Sequence, residues 1–541
     1  MVETREGAAP RNSDAEAAPK RWMSVDEALK LARDLMDAGR LTEAEKVAQD
    51  VANGQGRNAD AFHLIGIVAY RQGRLDRAIK FIEKAIELAP RTAAFHANLA
   101  EMYRLRGKTE PALAACERAV ALDSRNSQAW NNFGIIHYDR GDFAKAEECY
   151  RKALAGNPQF AHAWNNLGNA LVRLEREGEA HDAFQRAIAL QANYSEAMVN
   201  DGLNYREEGE FGLAAERLQQ AIEANPKNAN ARISLAMLRM LQGDLKGGLA
   251  EYEWRLAMPG IRPRNLPGQL WRGEPIEGKR IFVHCEQGLG DTIHYLRFLK
   301  PLAARRPGAI ILQTQASLQR LAELNFPFVE VVRSAPASDG ADFHCALMSL
   351  PLLLSYPVER RDPQDAYLSA PGDQVEIFRN RFAGKGGLKV GLVWAGNTAH
   401  KYDYSRSMPA ERLLPLLKVE GCHFYSLQIG SKPADAVLFK EGVTDLSKDV
   451  SNMMSTAAAI AALDLVIGVD TSLIHLAGAL GTPVWTMLSR VPDWRWGLGG
   501  DTTPLYSSMR LFRQKQRRDW PGIVQDVAAA LEQTVAARRQ G

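Results

Sequence analysis

"AWNNFGIIHYDRGDFAKAEECYRKALAGNPQFAHAWNNLG", residues 129–168, opens and closes on almost the same six residues, 34 positions apart. The register extends in both directions. Small residues recur at Gly66, Ala100, Gly134, Gly168, Gly202 and Ala236. A second small series is Ala44, Ala78, Ala112, Ala146, Ala180 and Ala214; a third is Ala85, Ala119, Ala153, Ala187 and Ala221. Pro90, Pro158 and Pro226 close three units. Small residues at fixed steps let two helices cross closely, and proline stops the second one. The pattern predicts about seven helix pairs over residues 23–259, stacked as a right-handed superhelix with a concave inner face.

The pattern resembles the tetratricopeptide repeat. Within it, Asn98, Asn132, Asn166 and Asn200 share one position of the first helix. Asn is a poor helix-interior residue, so its recurrence asks for a reason. A carboxamide donates and accepts, and so pairs with any peptide backbone. Four in line along a groove would hold an extended polypeptide. Inheritance from duplicated repeats, with solvated side chains, accounts for the same series. The series resembles the asparagine ladder in the repeat arm of the O-linked N-acetylglucosamine transferases, which implies acceptor-binding residues.

Repeat character fades after "EYEWRL" (251–256), and a Pro/Gly-rich linker follows over 260–279. "RIFVHC" (280–285) then reads as a buried strand, "TIHYLRFLKPLAARR" (292–306) as a helix, and "AIILQTQ" (309–315) and "VEVVRS" (329–334) as strands. The alternation restarts at "LKVGLVWAG" (388–396) and continues through "CHFYSLQIG" (422–430), "LDLVIGVD" (463–470) and "TPVWTMLS" (482–489) to a helix near 521–538. The fold class expected is α + α/β: an α-solenoid, then two Rossmann-like lobes at 280–375 and 386–541. A ligand cleft is expected between the lobes, at the carboxyl ends of their strands.

Three polar corners lie at those ends. In "EQGLGD" (286–291), Gly288 and Gly290 allow a tight turn and close approach to a ligand. Asp291 reads either as a plain helix cap or as a general base. "WAGNTAHKYDYSRSMP" (394–409) carries Asn397, Lys401, Arg406 and Ser407: a solvated loop, or cations facing an anion. In "DTSLIH" (470–475), Asp470, Thr471 and Ser472 open a helix whose free N–H groups and dipole favour an anion, with His475 one turn on. Capping plus a core histidine is the plainer reading. All three corners on two lobes, aimed at one cleft, favour a phosphorylated ligand. The chain lacks a GxxxxGK[ST] loop, a GxGxxG turn and an HExxH pair, against a P-loop NTPase, a nicotinamide enzyme and a zinc hydrolase. A metal-free reaction is expected.

"EQGLGDTIHYLRF", "GLVWAGN", "FYSLQIG", "DLVIGVDTSLIHLAGALGTPVW" and "DWRWG" together resemble the C-terminal region of bacterial tetratricopeptide-repeat glycosyltransferases. These are relatives of the ADP-heptose:lipopolysaccharide transferases with a GT-B fold, and include flagellin glycosyltransferases that attach nonulosonic acids such as pseudaminic acid. The resemblance implies an inverting transferase with Asp291 as base. It implies donor binding by Asp470, Thr471, Ser472 and His475, with Lys401 or Arg406 on phosphate. Gln287, Gly288, Gly290, Asn397, Ser407 and Gln428 complete the expected donor site. The co-substrate is a nucleotide-sugar, a CMP-linked nonulosonic acid among the candidates, and the partner is an acceptor polypeptide such as flagellin. The first lobe is short for this family, so the repeats would supply the acceptor side. Trp494, Arg495 and Trp496 read either as a stack or clamp on the nucleotide base or as packing of the lobe, with packing the preferred reading, and the basic run at 510–518 reads as a solvated face.

Other features bound the setting. A net charge of +3 does not suggest a nucleic-acid partner. Five scattered cysteines without a CxxC pair fit a reduced, cytoplasmic chain without disulfides or zinc. The polar residues 1–22 read as a disordered tail and lack the apolar stretch of a signal peptide. A different class of function competes: an adaptor or chaperone working through its repeats, with a degenerate transferase half.

Overall fold

The structure is a computed structural model describing residues 23–54, 57–261, 265–355, 366–384, 386–397, 403–430 and 435–540. The chain forms two compact units. One comprises the residues through Asn204 with Glu223–Pro226; the other comprises Tyr205–Ile222 and Lys227–Gly541.

The repeats are helical throughout, in fourteen helices from Val25–Asp37 to Leu245–Tyr252 among the described residues. Their small positions do what the spacing requires. A Cβ on Gly134 would meet the Tyr150 ring at 2.5 Å, and one on Gly168 the Phe184 ring at 2.5 Å, sixteen residues on in each case. Ala78, Ala112, Ala146 and Ala180 are fully buried.

A glycine series turns the chain between paired helices. Gly39, Gly73, Gly107 and Gly141 all have φ near +80°, with values of 77°, 75°, 74° and 84°. This is the left-handed position after a helix end. Glu175 occupies the same place at φ 64°.

In the second unit, the first sheet comprises β1 (Gln269–Leu270), β2 (Arg280–His284), β3 (Ala309–Gln313), β4 (Glu330–Val332) and β5 (Phe343–Ala346). Their order is β1-β5-β2-β3-β4, all parallel. The second comprises β6 (Leu388–Val393), β7 (Cys422–Ser426), β8 (Thr444–Asp445), β9 (Leu465–Val469), β10 (Val484–Leu488) and β11 (Met509–Arg513). Its order is β11-β10-β9-β6-β7-β8, also parallel. Each order reverses direction next to its first long strand, between β2 and β5 and between β6 and β9. Ligands of doubly wound sheets bind at such switch points, beyond the carboxyl ends of the strands.

Several details differ from the sequence reading. The first sheet begins inside the stretch read as linker: β1 pairs with β5, and Trp271 and Ile276 are buried. The β5 strand was not anticipated. The helix read over 292–306 is two helices, Leu289–Leu296 and Leu299–Ala303. The basic run is only in part a solvated face: Arg510, Lys515 and Gln516 are exposed, but its first residues belong to β11, with Leu511 and Phe512 buried.

One apolar core joins the lobes, including Ile281 and Val283 of β2, Ile293 and Leu296 of the following helix, and Val466, Leu473 and Ile474 of the second lobe. Open space between the lobes is thus replaced at this point by helix-on-helix packing. A second core lies between the far face of the second sheet and the C-terminal helix Trp520–Gln540.

Candidate active site

The corner after β2 builds from a buried charge. The Glu286 side chain is fully buried and accepts from Arg255 Nη2 at 2.8 Å and from the Met348 amide at 3.3 Å, beyond β5. Burial pushes its carboxyl upward against the pull of Arg255. Arg255 also reaches Glu253 at 2.5 Å and Ser349 at 2.8 Å, and the Ser349 hydroxyl donates to Glu253. Gln287 bonds the Tyr252 hydroxyl at 3.1 Å. The end of the last repeat is therefore keyed into this turn.

Gly288 caps the helix Leu289–Leu296. Asp291 is not the N-cap; it sits three residues in and accepts the Gly288 amide at 3.1 Å through one oxygen. Its other oxygen is held by Arg495 Nη2. The next contact brings the lobes together. A Cβ on Gly290 would lie 3.1 Å from His475 Cδ2 and 3.4 Å from Ser472 Cα.

Across that contact, β9 ends on Val469, Asp470 follows it, and the helix Ser472–Leu480 begins. Thr471 is its N-cap residue, extended at φ −142°, but its side chain caps nothing. The buried Thr471 Oγ1 has no hydrogen-bond partner among the described residues. His475 Nδ1 bonds Tyr506 at 2.9 Å, and its ring stacks on Trp496 at 5.2 Å and on His294 at 5.9 Å. Burial, reinforced by Arg495, Arg297 and Arg406, holds His475 far below the usual histidine range, so it is neutral. Burial and Asp493 push the Asp470 carboxyl up to about 6.

The corner after β6 mixes braces and a cation. Gln428 Oε1 accepts from the Trp394 and Ala395 amides at 3.2 and 3.0 Å. Ser407 Oγ accepts the Gly396 amide at 2.8 Å. These two expected donor-binding residues thus shape the turn itself. Arg406 lies over Gly396 and is paired with Asp403 at 3.2 Å. Its charge bears on Asp470 and His475. Asn397 is exposed at the rim. Lys401 lies outside the described residues, as does the tail at 1–22.

In the other unit, the asparagine series has partners of its own. Asn98 Nδ2 meets His63 Nε2 at 2.7 Å, and Asn132 Nδ2 donates to the Ala97 carbonyl at 3.0 Å. Asn166 donates to Asn131 Oδ1 at 3.0 Å and Asn200 to Asn165 Oδ1 at 2.9 Å. Every partner lies 35 residues back, in the preceding repeat. Burial holds His63 down at about 4, which keeps its ring neutral and able to accept.

Sequence reasoning passed over Arg255, Glu286 and Tyr506, and preferred packing to a clamp on the base for Arg495. A signal was present: two arginines set among aromatic residues in "EYEWRL" and "DWRWG".

The architecture is that of a helical-repeat arm followed by doubly wound α/β lobes, and comparisons with known proteins agree. Residues 12–257 match the cilia and flagella-associated protein 70 C-terminal domain family. Residues 451–519 match glycosyltransferase family 9 (heptosyltransferase), a segment holding Asp470–His475 and Arg495 but not Asp291. Protein FlbA of Caulobacter vibrioides is 31% identical over 339 residues, 57% of this chain and 55% of FlbA. Tetratricopeptide repeat protein 36 of Bos taurus is 41% identical over 68 residues, 12% of this chain and 36% of that protein. This chain thus spans about half of the first relative and a third of the second. A tetratricopeptide repeat protein from Parabacteroides merdae is 17% identical, covering 43% of this chain and 93% of that one with a TM-score of 0.37. The chain thus carries a helical-repeat region similar to tetratricopeptide-repeat proteins and a C-terminal segment similar to glycosyltransferase family 9. Among the described residues no helix is long and apolar enough to cross a membrane.

Proposed function

We propose that the chain moves a sugar from a nucleotide-activated donor to a Ser or Thr hydroxyl of a polypeptide, inverting the anomeric carbon. The observation that carries this reading is the contact at Gly290. It puts the Asp291 carboxylate and the N-terminus of the helix Ser472–Leu480 in one place, beyond the strand ends.

Asp291 takes the proton of the acceptor hydroxyl. The hydroxyl oxygen bonds to the anomeric carbon as that carbon's bond to the donor phosphate oxygen breaks. The departing phosphate keeps the electron pair. First-turn amides at Ser472, with Arg406 and Lys401, stabilise the growing charge. Neutral His475 and the braced corner at Gln428 and Ser407 hold the donor pocket in shape.

The acceptor segment lies along Asn98, Asn132, Asn166 and Asn200 in this reading. Each amide nitrogen carries a second hydrogen beyond the bond between repeats. The resemblance to flagellin glycosyltransferases makes flagellin the first acceptor to try, and a CMP-linked nonulosonic acid such as pseudaminic acid the first donor.

The test is the intact mass of bacterial proteins from cells with and without this chain, followed by reconstitution on the shifted protein. The expected result is a discrete sugar-sized increase that Asp291→Asn abolishes. Capture of an acceptor with no mass change in any donor would instead establish the adaptor reading.

A further inference from the structure

We propose that Arg495 is a further cation that meets the donor's leaving phosphate, beside those named above, and that its transfer from Asp291 to that phosphate is what frees the base. This rests on the transferase reading above.

Arg495 sits in the turn Trp494–Trp496 that follows β10. Its side chain is only 8% exposed. It holds Asp291 from the other lobe through Nη2, and Asp493 through Nη1 at 2.8 Å. Its guanidinium lies over the Trp494 ring, 4.8 Å from the centroid. Burial opposes its charge, but Asp493 and Asp291 outweigh that and keep it protonated.

Its bonding is incomplete. Arg495 Nε is buried without a hydrogen-bond partner among the described residues, and so are Trp494 Nε1 and Thr471 Oγ1. Buried polar atoms in folded proteins are nearly always satisfied, so the orphans on Arg495, whose charge bears on Asp470 and His475, and on Thr471 between those two residues point to a missing acceptor in their corner. The corner is the one that Gly290 closes against Ser472 and His475. An anion at the start of the helix Ser472–Leu480 would supply that acceptor.

Arg406, a cation expected from the sequence, is placed differently. It is turned to Asp403 across the β6 loop. Arg495, by contrast, holds Asp291 directly.

A guanidinium fork fits carboxylate and phosphate with the same geometry, so one can replace the other without loss of pairing. While Arg495 holds Asp291, that oxygen is occupied by the guanidinium and is closed to the acceptor hydroxyl. When a phosphate takes the guanidinium, Asp291 keeps only the Gly288 amide on its other oxygen. The released oxygen is then free for the acceptor hydroxyl. The base is thereby switched on by the donor and stays off without it.

The experiment is calorimetry on the full chain with inorganic pyrophosphate, CMP, UDP, GDP and ADP as probes. The proteins are wild type, Arg495→Met, Arg495→Lys, Asp291→Asn and the Asp291→Asn, Arg495→Met double variant, each checked by thermal melting. For the tightest probe, Arg495→Met is expected to lose about tenfold or more in affinity. Arg495→Lys, which keeps charge but not the fork, should recover part of it. Asp291→Asn should bind about fivefold tighter, because the arginine is no longer claimed, and the double variant should lose that gain. Wild-type affinity in Arg495→Met, or no tightening in Asp291→Asn, overturns the exchange and leaves the transferase reading intact. If Arg495→Met does not fold, the Asp291→Asn arm alone decides. No binding of any probe by wild type removes both.

Discussion

Gly290 and His475 touch across the two lobes: a side-chain carbon on the glycine would stand 3.1 Å from His475 Cδ2. The histidine is not free to give way, since Tyr506 holds its Nδ1 and Trp496 covers its ring. Gly290→Ala therefore has to move the helix Leu289–Leu296 away from Ser472. Overpacking of this kind costs about 1–3 kcal/mol. The expected outcome is weaker binding of the best nucleotide probe, with a smaller change in melting temperature. Unchanged binding would mean that this corner does not line the ligand.

Arg255 and Glu286 form a buried pair at 2.8 Å, with Glu253 and Ser349 completing the network. Removing one member of such a pair leaves a charge in a dry interior. Arg255→Met should cost about 3–5 kcal/mol, read as a lower denaturant midpoint. The double variant Arg255→Met, Glu286→Gln should recover part of the loss. A midpoint within experimental scatter of wild type would contradict the buried network.

Asn132 is 3% exposed, donates to the Ala97 carbonyl and accepts from Gln128. Asn132→Ala removes two bonds between or within repeats. A destabilisation of about 1–2 kcal/mol is expected in urea unfolding. Any loss of acceptor capture in this variant has to exceed what that destabilisation alone produces before it counts as recognition.

Asp470 supplies a pH test. Its carboxyl is raised from 3.8 to about 6 by burial and by Asp493. The folded state thus holds the proton more tightly than the unfolded one. The resulting stability is complete below the ordinary carboxylate range and is lost as pH rises through about 6. Asp470→Asn lacks that loss. Its melting temperature relative to wild type should therefore climb between about pH 4 and about pH 7, then level off. A flat difference would show that Asp470 titrates normally.

The repeats were legible because close helix crossing leaves a mark at every unit: nothing larger than Gly fits against the Tyr150 and Phe184 rings. The turn glycines were just as periodic, yet they were not needed for the assignment and went unread. Glu175 shows why such a series tolerates exceptions, since one left-handed residue costs only about 1–2 kcal/mol. The polar corners were legible because each interrupts an apolar strand. The meaning of Arg495 was not, because its partner Asp291 lies 204 residues away. Local periodicity carries no record of such a pair. The β5 strand escaped for another reason: a four-residue run that passes straight into apolar helical residues has no period of its own.

Bonds from each asparagine to a residue 35 positions earlier have a genetic consequence. Deleting or duplicating one 34-residue cassette between Asn98 and Asn200 brings the next asparagine opposite an equivalent residue, and the rung re-forms. An indel of any other length strands a half-buried amide. Arm length can therefore drift among descendants in whole cassettes, so that the span of the helical surface becomes a property selection can lengthen or shorten without rebuilding the fold.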